Sequence, residues 1–132
     1  MFKNASKIQK LAWGFSALFL FVYSLDYVPG IMAENGKMFG LFGMTPIVDF
    51  GHLALGALAL ISGFIGAKAA RIYFWFLGCW YGLDVIMFFT SHFSSMTLLV
   101  NLAINMPHLL CSIAAFWIAT NVDRPVANAV RA

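Results

Sequence analysis

The sequence predicts an all-α integral membrane four-helix bundle built from two tandem helical hairpins, and three observations carry that expectation. Of 132 residues, 62% are hydrophobic and 10% charged, whereas soluble domains carry about 25% charged residues. Four apolar runs, roughly 11–28, 47–67, 72–93 and 97–119, come close to or exceed the ~20 residues that a membrane-crossing helix needs. The chain also repeats itself. Val48-Asp49-Phe50-Gly51-His52-Leu53 returns as Ile104-Asn105-Met106-Pro107-His108-Leu109, and Tyr23-Ser24-Leu25-Asp26 returns as Tyr81-Gly82-Leu83-Asp84. One pair of spans has been copied and set beside itself. Residues 1–132 then form a single transmembrane domain with no room for a soluble one.

The charges set the expected topology. Lys3, Lys7 and Lys10 precede the first run, Lys68 and Arg71 occupy the middle turn, and Arg124 and Arg131 follow the last run, which leaves only Lys37 on the other side. By the positive-inside rule both termini and the middle turn are cytoplasmic. Both halves therefore begin inside, and the repeat is parallel rather than inverted. The net charge of +3 is accounted for by this placement, and nucleic-acid binding is not expected.

The first run follows a lysine-rich tail, as a secretory signal does, but no small-x-small cleavage site follows Val28, so it is read as a span. Trp13 and Tyr27 mark its two headgroup zones, and Pro29-Gly30 ends it. The loop over 29–46 holds Gly36, Gly40 and Gly43 among Met38, Phe39, Leu41 and Phe42, which reads as a flexible apolar segment lying in the interface. The second run carries a seam of small residues below His52, at Gly56, Ala59, Gly63 and Gly66, and the fourth repeats it below His108, at Ser112, Ala115 and Ala119. Such seams let helices approach closely. The third run has Gly78-x-x-x-Gly82, a weaker motif of the same kind. Tyr73, Trp75 and Trp117 mark the cytoplasmic interface again. Cys79 and Cys111 lie inside spans without a partner motif and read as small apolar residues.

Polar side chains gather in one layer. At 1.5 Å of rise per residue, Asp26 and His52 stand roughly 24 Å above the cytoplasmic charges, His108 roughly 22 Å and Asp84 roughly 20 Å. Asp49 and Asn105 lie one turn nearer the outside, where the expected role is to cap the first turns of the second and fourth helices. Tyr23 and Tyr81 stand three residues before their aspartates and can offer hydroxyls from below. His92 reads as a solvated residue of the outer turn. Ionisable residues inside spans point inward and pair, so His52 and His108 are expected to face the interior, with Asp26 or Asp84 within reach of a histidine or tyrosine.

Three roles compete for the histidine pair. The first is packing, through hydrogen bonds across the bundle that fix the two halves together. The second is tetrapyrrole ligation, with His52 and His108 as axial ligands of a haem b or one of them holding a pigment. The third is a metal site of His52, His108, Asp26 and Asp84.

The succession Tyr27-Val28-Pro29-Gly30-Ile31, Gly51-His52-Leu53-Ala54-Leu55-Gly56, Ala70-Arg71-Ile72-Tyr73 and Asn101-Leu102-Ala103-Ile104-Asn105 leading to His108-Leu109 resembles a family of small four-helix bacterial membrane proteins classed as a domain of unknown function. The resemblance spans about 11–119. It implies a bacterial inner (plasma) membrane and supplies no activity. That family usually has small or apolar residues where Asp26 and Asp84 stand, so a function built on these acids would be particular to this chain.

With no nucleotide loop and no nucleophile beside a base, the sequence points to a non-enzymatic membrane protein, either an accessory subunit of a larger membrane complex or a self-assembling scaffold. Its expected partners are the lipid bilayer and other membrane-protein subunits or itself. Tetrapyrrole or metal binding through His52 and His108 is the alternative. An oligomeric channel or transporter is a further one, set against the absence of a hydrophilic stripe running the full depth of the bundle.

Overall fold

The computed structural model describes residues 4–123. Its helices are α1 (Lys7–Leu25), α2 (Pro46–Ile65), α3 (Ala67–Ser91) and α4 (Leu98–Asn121), all long and apolar enough to cross a membrane. Four such helices packed together make this a small multi-pass integral membrane protein with an all-α four-helix architecture. The closest pairings are α1 on α2 and α3 on α4, while α3 also touches both helices of the first hairpin and is the main support of α4. The two hairpins thus meet largely through α3.

Each helix starts where its local chemistry dictates. Helix α1 begins at Lys7, four residues before the expected start, because Ser6-x-x-Gln9 forms a capping box: the Ser6 hydroxyl accepts from Gln9 N at 3.4 Å and Gln9 Oε1 accepts from Ser6 N at 3.1 Å. It ends at Leu25 rather than Val28, and Tyr27 and Val28 turn toward Pro29 through short backbone bonds to Ser24 and Leu25. Thr45 caps α2 with Pro46 in its first turn, and Thr97 caps α4.

The expected middle turn is helical. Gly66 alone separates α2 from α3, with φ 145° and ψ 177°, a region open essentially to glycine. Lys68 therefore sits in the first turn of α3 and Arg71 at the start of the second. Cations near this N-terminal end oppose the helix dipole, and Arg71 finds its compensation elsewhere. Its guanidinium donates to the carbonyls of Ala119, Val122 (2.7 Å) and Asp123 (2.9 Å) at the end of α4. Asp123 Oδ2 in turn accepts from Ile8 N at 2.8 Å, and Gln9 Nε2 donates to Gly63 O at 2.7 Å. At this basic end of the bundle, side chains satisfy backbone groups that helix termini leave open.

The small-residue seams face inward. Gly56 lies under Leu20 and Phe19 of α1, and Gly63 under Trp13 and Gln9. Gly78 lies under Phe116 of α4, whose Ser112 hydroxyl donates to Gly78 O at 2.8 Å. The core runs between them through Ala12, Ala59, Phe74, Leu77 and Ala115.

At the opposite end, the expected flexible loop folds into a small hairpin in which β1 (Lys37–Met38) pairs antiparallel with β2 (Phe42–Gly43). Phe39 and Gly40 make the turn at φ 53° and 73°. Met38 is buried beneath it, while Phe39 and Leu41 are exposed.

Candidate functional site

The duplicated histidines meet. His52 on α2 and His108 on α4 have ring centres 6.4 Å apart, so the two copies of the motif stand at one level. They belong to a cycle of four rings, one from each helix. Phe19 of α1 stacks at 5.9 Å on Tyr81 of α3, Tyr81 lies 4.5 Å from His108, and His52 lies 6.2 Å from Phe19. Helical spacing makes this possible: Phe19 continues the buried row Ile8, Ala12 and Ser16, and Tyr81 continues Phe74, Leu77 and Gly78.

Hydrogen bonds fix the orientation of each imidazole. His108 Nδ1 stands 2.6 Å from Asp84 Oδ2, a hydrogen bond that ties α4 to α3. His52 Nδ1 stands 2.9 Å from Val48 O, one turn back on its own helix. A carbonyl only accepts, so His52 Nδ1 carries the proton and Nε2 of the neutral ring presents a lone pair. The carboxylate imposes the same Nδ1–H on His108. Neither Nε2 makes a hydrogen bond among the described residues.

Both rings line a cavity of about 210 Å³, together with Ile47, Val48, Gly51 and Leu55 of α2 and Trp80, Tyr81 and Asp84 of α3. The cavity lies between α2 and α3, and α4 contributes His108 to its lining. Its walls are apolar and its few polar groups converge, as in small-molecule and ion sites.

The expected polar layer is thus only partly assembled. Asp84 joins His108, whereas Asp26, its counterpart in the first half, does not reach His52. Helix α1 stops one residue before Asp26, while α3 continues past Asp84 to Ser91. As the C-cap of α1, Asp26 turns to Asp49 instead, carboxyl facing carboxyl, and Oδ1 of each is buried without a hydrogen-bond partner. Among the described residues no three of His, Cys, Asp and Glu converge around an ion position, so His52, His108, Asp26 and Asp84 do not form one metal set.

Other expectations divide similarly. Asp49 lies in the first turn of α2, but Thr45 is its cap. Asn105 is not in the first turn of α4, which begins at Leu98; it lies two turns in. There its Nδ2 donates to Asn101 O (3.0 Å) and Asn101 Oδ1 (2.7 Å), and Asn101 Nδ2 donates to Phe89 O at 3.2 Å. This amide ladder holds α4 on α3, and Asn101 is 1% exposed. The recurrence of asparagine at i and i+4 was its sequence signal. Tyr81 meets His108 through its ring, and Tyr23 accepts from the exposed Tyr27 hydroxyl at 3.2 Å. That bond, more than desolvation, pushes the Tyr27 phenol up to about 12. His92 caps α3, stacked on Phe88 at 4.2 Å. Cys79 and Cys111 are free thiols.

Comparisons with protein-family models, with curated proteins and with solved structures give no match to this chain.

Proposed function

We propose that this is a non-enzymatic accessory subunit or scaffold of a membrane assembly, and that its specific contribution is a ligand site between His52 and His108. The observation that carries this reading is the pair of imidazoles whose Nδ1 atoms are held while both Nε2 atoms stay unbonded beside one cavity. Ring packing joins the two halves here, but the hydrogen bonds expected of a packing role do not. The His108 bond stays within the second hairpin and the His52 bond within α2, so neither hydrogen bond joins the two halves.

The buried polar groups favour a binding protein over a channel. Ser62, Ser112, Asn101 and Asn105 all donate to backbone carbonyls, and such groups are committed to structure rather than to a conducting path. On the motifs quoted above, we also place the chain with the small four-helix bacterial family and its basic end in the cytoplasm of a bacterial inner membrane.

The test is purification of the full chain in mild detergent, followed by an absorption spectrum and elemental analysis. A chromophore or metal that co-purifies in stoichiometric amount and is lost in His52→Gln is the expected result. Colourless, metal-free protein that also takes up neither haem nor metal when they are added would refute the reading.

A further inference from the structure

Resting on that reading, we propose that the His52–His108 site holds a transition-metal ion, copper(I) in particular, rather than a tetrapyrrole. The first argument is size. A cavity of about 210 Å³ falls below the roughly 300–1,000 Å³ of small-molecule sites. It admits an ion with a water, whereas a macrocycle would have to part the helices that line it.

The second argument is spacing. An imidazole nitrogen stands about 2.0–2.1 Å from a bound ion, with the ring centre ~1 Å behind it, so two rings on one ion have centres ~5 Å apart at a tetrahedral angle and ~6 Å apart when opposed. The observed 6.4 Å matches the opposed arrangement. Two opposed nitrogen ligands are the preference of a monovalent d10 ion.

Tautomer and charge agree. With both Nδ1 atoms engaged, each ring has only Nε2 left to offer, and two such nitrogens beside one cavity call for a Lewis acid. Asp84 orients His108 and raises the basicity of Nε2, as carboxylates do behind metal-bound histidines. Its single negative charge offsets a single positive one, which matters where net charge is expensive.

The experiment uses full-length protein in detergent with Cys79→Ala and Cys111→Ala, so that no thiol competes for copper. After chelator treatment the protein is titrated anaerobically with copper(I) against a chromophoric competitor, and separately with zinc(II). One copper(I) per chain is expected, with zinc(II) bound more weakly. His52→Gln and His108→Gln should each weaken binding on the order of 100-fold or more, and Asp84→Asn by about 10- to 100-fold, while His92→Gln leaves it unchanged. His52 bonds only within its own helix, so His52→Gln keeps the test valid even if His108→Gln fails to fold. Copper binding that survives His52→Gln, or tighter binding of zinc(II), overturns the proposal. A co-purified tetrapyrrole that requires both histidines would overturn the ion while leaving the ligand site standing. Absence of both metal and chromophore overturns the two together.

Discussion

Replacing glycine by alanine at two positions measures how tightly the first hairpin is packed. Gly63 and Gly14 are both inside helices, and alanine at either gains roughly 0.5–1 kcal/mol of helical preference. A Cβ at Gly14 meets nothing within 4 Å. At Gly63 it would stand 2.5 Å from Trp13 Nε1, 2.7 Å from Trp13 Cδ1 and 3.1 Å from the backbone oxygen of Gln9. The indole can shift, but that oxygen belongs to α1, and α1 is held to this place by the bond from Gln9 to Gly63 O. Overpacking of this kind costs about 1–3 kcal/mol. Because the helical gain is common to both variants, the difference between Gly63→Ala and Gly14→Ala isolates the steric cost, with Gly14→Ala the more stable by about 1–3 kcal/mol, or roughly 4–12 °C in Tm. Thermal melts in one detergent, followed by far-ultraviolet circular dichroism, read it directly. A Gly63→Ala protein melting at or above Gly14→Ala would refute close contact between α1 and α2.

Arg71→Met removes three bonds to the end of α4 and should lower stability by about 2–4 kcal/mol, with Arg71→Lys recovering only part of it because a lysine cannot span the three carbonyls in one fork; the same melts check this. Asn101→Leu should cost about 1–3 kcal/mol, since it removes the side-chain acceptor of Asn105 and the donor to Phe89 O, and it should increase hydrogen exchange at the α3–α4 end near Phe89. Single cysteines in place of Lys68 and Asn35, both exposed, in a Cys79→Ala, Cys111→Ala background should label from outside intact cells at 35 and not at 68, and the reverse pattern would invert the topology.

Features that live within one helix were readable in the sequence. Apolar length gave the four spans, small residues at steps of three and four gave the packing faces, and the duplicated motif brought His52 and His108 to one level. What escaped were bonds between groups far apart in the chain. Arg71 looked like a topology signal, yet it satisfies the end of α4, as Asp123 satisfies the start of α1. Asp26 and Asp84 looked equivalent, and only the place where α1 stops sends Asp26 to Asp49. Periodicity describes a face, whereas a partner depends on how two helices end. Phe19 was likewise invisible as the fourth ring, being one of 14 phenylalanines.

The bond from Ile8 N to Asp123 has a consequence for biogenesis. The two residues are 115 positions apart, so the first helix leaves the ribosome long before the group that satisfies its opening turn exists. Until α4 is complete, the start of α1 must rely on water and lipid headgroups for that bond, and the end of α4 likewise depends on Arg71 being in place. Closure of the basic end is therefore a late event that depends on Asp123. A chain cut before Asp123 would insert its four spans and still lack the clasp between the first and the last, leaving an assembly open at the end where all four helices should be tied.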